Sequence, residues 1–136
     1  MQNKKINTKK LHFKFKYANT FNKHILKFGK FGFKINKTIC LDSTKEEFLQ
    51  LFILKNLKNI SLKKTKIFFS FACFYTKTKL PLESRMGKGK GEIINLFGYY
   101  KKGFILMELL QISSFNIYKL FTQLNKKKIL KLSLIK

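Results

Sequence analysis

From Pro81 to Gly91 the chain reads Pro-Leu-Glu-Ser-Arg-Met-Gly-Lys-Gly-Lys-Gly, and glycine at every second position of its end forbids a regular element there. Each glycine inside a helix or strand costs about 0.5–1 kcal/mol relative to alanine, because it surrenders more backbone freedom than any other residue. The window 76–92 also holds the sole proline, Pro81, and the sole arginine, Arg85. It is therefore read as a long loop, and long loops inside compact domains are commonly functional.

The residues on either side follow recognisable periods. Phe33–Leu41 reads as a short strand, after which Asp42-Ser43 opens a helix. Ser43 and Glu46 match the S-x-x-E capping box, and Glu46 and Glu47 put negative charge where the helix dipole favours it. Phe48, Leu51, Phe52 and Lys55 fall near one stripe of that helix, and Leu49, Ile53, Leu57 and Ile60 widen its buried face. The run from Lys66 to Tyr75 is almost wholly apolar and predicts a buried strand. After the loop, Ile93–Tyr100 and Phe104–Leu110 predict two strands turning at Lys101-Lys102-Gly103. Ser113 or Ser114 can cap a second helix, in which Ile117, Leu120, Phe121 and Leu124 recur at i, i+3, i+4 and i+7. Lys126 to Lys128 suit its C-terminus, and Leu130, Leu132 and Leu134 alternate as a last strand. The order β-α-β-loop-β-β-α-β predicts an α+β fold, two helices packed on a mostly antiparallel sheet. We expect one such domain over 28–136, with the loop 76–92 as its functional part.

Charge decides the class of partner. Thirty basic residues face six acids in 136 residues, a formal +24, while hydrophobic residues at 45% suffice for one core. Such self-repulsion calls for an anionic partner, first nucleic acid and second a membrane surface. Residues 1–37 contain no acid at all, the first being Asp42. We expect this segment to lie on RNA outside the core. A basic arm over 1–27 would place Lys4, Lys5, Lys9, Lys10, Lys14, Lys16, Lys23 and Lys27 on phosphates. Within it, Phe13, Phe15 and Tyr17 alternate with Lys14 and Lys16, which fits an amphipathic edge strand or an arm laid along RNA; the missing counter-charge favours the arm.

Other chemistry finds little support. Cys40 and Cys73 stand in apolar runs outside any C-x-x-C pair, and we read both as buried thiols, with no metal ligands around His12 or His24. No apolar stretch reaches the ~18 residues needed to span a bilayer, so no membrane insertion is expected. The loop is not a nucleotide-binding P-loop, since Lys88 and Lys90 are each followed by glycine and not by Ser or Thr. Nor is it a dinucleotide fingerprint, because its third glycine comes one residue early. As a nucleic-acid loop it fits: bare backbone lets N–H groups approach an anion while the lysines meet phosphates.

The string Arg85-Met86-Gly87-Lys88-Gly89-Lys90-Gly91, preceded by Pro81-x-Glu83, resembles the signature of the bacterial-type large-subunit ribosomal protein sixteen family. Phe28-Gly29 with Gly32-Phe33 is similar to its Phe-Gly-x-x-Gly-Leu turn, and Lys102-Gly103 through Glu108 to its Pro-Gly-x-x-x-x-Glu hairpin. The family's arginine-rich N-terminus is lysine-rich here, which keeps charge but loses the bidentate fork. The resemblance implies a structural, non-enzymatic protein of the large ribosomal subunit without cofactor. Its partners would be large-subunit rRNA, A-site tRNA and neighbouring ribosomal proteins. Residues 85–91 would form the rRNA and tRNA loop, reaching toward the peptidyl-transferase region. A basic nucleic-acid or membrane-surface protein unrelated to the ribosome is the alternative. Lys, Asn, Ile, Phe and Tyr supply more than half of the residues, with no valine and two alanines, the mark of an AT-rich and so organellar gene. The N-terminus is basic but lacks arginine and a following apolar core, so no cleavable import sequence is expected. A mitochondrial ribosome made up partly of locally synthesised protein is the expected setting, ahead of a relict plastid.

Overall fold

The computed structural model describes residues 10, 24–60, 65–85, 87, 89–127 and 130–136. In chain order these form β1 (Phe31–Ile35), β2 (Ile39–Asp42), α1 (Ser43–Ile60), β3 (Lys66–Phe69), β4 (Tyr75–Lys79), β5 (Glu92–Tyr100), β6 (Ile105–Leu110), α2 (Ser114–Lys126) and β7 (Leu132–Ile135). The fold is α+β, with two helices and antiparallel strands, as the periodicities predict.

The strands make two sheets. One has the order β3-β6-β1-β7 and the other β2-β5-β4. The predicted strand Phe33–Leu41 is thus two strands: β1 pairs with β6 and β7, and β2 with β5, the chain changing sheets at residues 36–38. The run from Lys66 to Tyr75 divides likewise into β3, at the edge of the first sheet, and β4, at the edge of the second. Between them, residues 70–74 cross over, burying Phe71 and Cys73. Three distant groups satisfy the backbone of this crossing. Ser70 N–H donates to Leu106 O at 2.8 Å, Cys73 N–H to Glu46 Oε2 at 2.8 Å, and Ala72 O accepts the Tyr100 hydroxyl at 2.9 Å. Burial pushes the Tyr100 phenol far above its ordinary pKa, which keeps it a neutral donor. Because β4 extends to Lys79, the loop spans 80–91 and not 76–92.

The core lies between the sheets and the helices. Phe33, Leu109, Ile117 and Leu120 are fully enclosed there, with Leu49, Ile53 and Leu57 from α1. The β1 part of the acid-free segment 1–37 does not stay outside the core: Phe31, Phe33 and Ile35 are buried, because alternate residues of a strand flanked on both sides must face the helices. On α2, Ser113 caps the helix by accepting from Asn116 N–H at 3.3 Å, and Ile117, Leu120 and Leu124 form the buried stripe that the sequence predicts.

Helix α1 departs from its predicted stripe. Its inner face is Glu46, Leu49, Ile53 and Leu57, whereas Phe48 is 50% and Leu51 69% exposed. The helix is apolar around much of its circumference, so periodicity alone could not say which side faces in. The Ser43 hydroxyl donates to Asn95 Oδ1 on β5, and Glu46 Oε1 accepts from Gln50 Nε2 at 3.3 Å. Leu51→Lys accordingly changes stability by no more than about 0.5 kcal/mol, and Ile53→Ala lowers it by about 2–4 kcal/mol. Urea unfolding of the two variants beside the parent measures both. Cys40 also departs from expectation: it is exposed, and only Cys73 is buried, donating to Leu41 O at 3.3 Å. Partial burial and then the nearby Asp42 carboxylate push the Cys40 thiol up, so it is not an activated nucleophile.

Candidate nucleic-acid interface

Strands β4 and β5 run antiparallel and hold the loop 80–91 between them, with Lys79 opposite Glu92 at its base. Gly91 closes that base. A Cβ built there would stand 2.2 Å from Lys79 O, so only glycine lets the two arms of the loop approach this closely. A turn follows Leu80: Ser84 N–H and Oγ–H both donate to Pro81 O, at 3.4 and 3.0 Å, and Glu83 takes φ +73°. This turn thrusts Leu82 into solvent and starts the loop away from the body.

Arg85, Gly87, Gly89 and Lys90 are all exposed. Gly87 and Gly89 have φ of +94° and +91°, and a methyl group at either position would meet nothing within 4 Å. Glycine is required there by backbone conformation and not by packing. The result is a ribbon of accessible peptide groups and cations that contributes nothing to the core. Met86 and Lys88, the other two residues of the expected contact loop, lie outside the described residues.

Of the arm lysines, Lys4, Lys5, Lys9, Lys14, Lys16 and Lys23 lie outside the described residues. Lys10 meets the loop directly. Its ammonium donates to Lys90 O at 2.7 Å, and the Lys90 ammonium donates to Lys10 O at 3.0 Å. Each ammonium is thus held on the other residue's carbonyl, which fixes Lys10 of the expected arm against Lys90 of the loop. Lys27 sits elsewhere, over β6. Its side chain is exposed and its N–H points to Glu108.

Sequence reasoning noted Glu108 only as the end of the hairpin motif and gave it no place in the site. This carboxylate is only 4% exposed and accepts three successive backbone N–H groups: Lys27 at 3.1 Å, Phe28 at 2.7 Å and Gly29 at 2.7 Å. It pins residues 27–29 onto the outer side of the first sheet. A lone acid in the apolar run Ile105–Leu110, in a chain with six acids, was the available signal.

Among the described residues no group of three His, Cys, Asp or Glu could hold a metal ion, and no helix is long and apolar enough to cross a membrane. What the surface offers is phosphate-binding chemistry, with flexible cations and bare N–H groups on a scaffolded loop.

Comparison with known proteins agrees with this chemistry. The family described as ribosomal protein L16p/L10e matches residues 2–133. The large ribosomal subunit protein uL16m of Chondrus crispus is 35% identical over 121 residues, which cover 88% of each chain.

Proposed function

The chain belongs to the ribosomal protein L16p/L10e family, and from that premise we propose that its Gly-Lys loop is extended toward A-site tRNA and the peptidyl-transferase region. The protein is a structural constituent of the large subunit of the mitochondrial ribosome, where it binds rRNA beside other ribosomal proteins, and it is not an enzyme. A ribosome-independent nucleic-acid or membrane-surface role is not favoured.

Residues 85–91 make the rRNA and tRNA contacts. Residues 1–27 serve as a basic arm on rRNA, with its eight named lysines on phosphates, and 28–136 form the single domain that carries both. The observation behind this reading is the loop itself: Gly87 and Gly89 adopt positive φ in open space and its one arginine is exposed, so these residues are placed for contact and not for stability. Arg85 differs from every lysine in its planar fork, which grips phosphate bidentately or stacks on a base.

Large subunits assembled with Arg85→Ala, Arg85→Lys or Gly89→Val test the proposal. All three incorporate the protein, since the isolated body keeps its stability to within about 0.5 kcal/mol for the arginine variants. All three lose A-site tRNA binding or subunit maturation. Gly89→Val does so because a β-branched residue disfavours positive φ and blocks close approach of the backbone. Normal tRNA binding and normal maturation with every variant would remove the assigned role of the loop.

A further inference from the structure

On the outer side of the first sheet, residues 25–28 and strand β3 enclose a groove of about 500 Å³, lined by Ile25, Lys27, Phe28, Ile67, Phe68 and the Glu108 that anchors it. Resting on the ribosomal reading above, we propose that this groove receives an unpaired nucleobase of large-subunit rRNA, stacked on the Phe28 ring.

The groove is built and not incidental. Phe28 is 65% exposed, yet its own N–H donates to Glu108 at 2.7 Å, between the bonds from Lys27 and Gly29. An exposed ring on a backbone fixed by three hydrogen bonds is held in place without being covered. Phe68 lies beside it, ring centroids 5.3 Å apart and tilted by 34°, so the two form one continuous aromatic wall. The volume lies within the range of sites that hold small ligands.

The charge of the rim chooses among occupants. Lys27 lines the groove, and Lys66 falls two residues before Phe68 and hence on the same side of β3. Both are exposed. The one acid in the lining, Glu108, is turned to backbone donors. Exposed rings with cations beside them suit a base whose flanking phosphates meet the lysines, which is how single-stranded RNA is gripped. A regular duplex keeps its bases stacked inside and would leave the rings in water, so the base must be one splayed out of a loop or bulge.

Ultraviolet cross-linking of intact large subunits, followed by peptide and nucleotide mapping, tests the idea. The peptide containing Phe28 or that containing Phe68 is expected to join to one unpaired rRNA nucleotide. In subunits carrying Phe28→Ala, that nucleotide becomes about 10-fold more reactive to base-specific chemical probes, the loss of one base–aromatic stack. Phe28→Tyr preserves the protection because it keeps the ring. Phe68→Ala provides an independent variant should Phe28→Ala fail to assemble. Cross-links from these peptides to protein alone, or rRNA reactivity unchanged by Phe28→Ala and Phe68→Ala in subunits that contain the protein, would overturn the proposal. The amount of protein in the same subunits reports separately on the ribosomal assignment.

Discussion

Raising salt from about 50 to 200 mM weakens binding of the isolated protein to structured RNA by about 10³–10⁵-fold, the consequence of neutralising about 6–10 phosphates and releasing their counterions. The fold makes this expectation stronger than the composition does. Of the six acids that could offset thirty cations, Glu46 and Glu108 are buried in hydrogen bonds to the body and take no part in surface compensation. Lysine is a compact point charge, so nearly all of the attraction is of the screened, phosphate-directed kind. Fluorescence anisotropy across a salt series measures the slope. An affinity that changes less than about tenfold over this range would mean that phosphate contacts do not dominate.

The second large effect concerns stability. Glu108→Ala lowers it by about 3–5 kcal/mol, because three N–H groups lose a charged acceptor and a cavity opens beside β6. Glu108→Gln recovers part of that loss, since one oxygen remains to accept while the amide nitrogen cannot. Urea unfolding without RNA, at a salt concentration that keeps the protein in solution, gives both values. A cost below about 1 kcal/mol for the alanine variant would show that water replaces the carboxylate and that residues 27–29 are not anchored by it.

The loop and α2 were legible because their signals are local. Alternate glycines exclude regular structure wherever they occur, and Ser113 caps the turn that immediately follows it. The division into two sheets was not legible. Residues 70–74 cross between sheets with no glycine or proline to mark the break, inside a run broken only by Ser70. Their polar groups are satisfied by Leu106, Glu46 and Tyr100, partners supplied only by the tertiary fold. Phe48 and Leu51 misled for a related reason: a helix apolar on both sides has two candidate inner faces, and packing alone selects Leu49, Ile53 and Leu57. The candidate interface was readable as chemistry, in Arg85 and the glycines. The pairing of Lys10 with Lys90 and the grip of Glu108 on Phe28 join residues about eighty positions apart, beyond any motif.

Strand β1 sits in the middle of the four-stranded sheet, yet both its neighbours, β6 and β7, come from the final third of the chain. Gly32 pairs with Glu108 on one side and Ile135 on the other. Closing loops of that length costs entropy before any contact rewards it, and such high contact order slows folding. During synthesis β1 therefore waits without its full set of strand partners until β7 has emerged. A chain terminated before Leu132 leaves β1 with one neighbour and the core open along α2, which makes β7 the checkpoint on which completion of the first sheet depends.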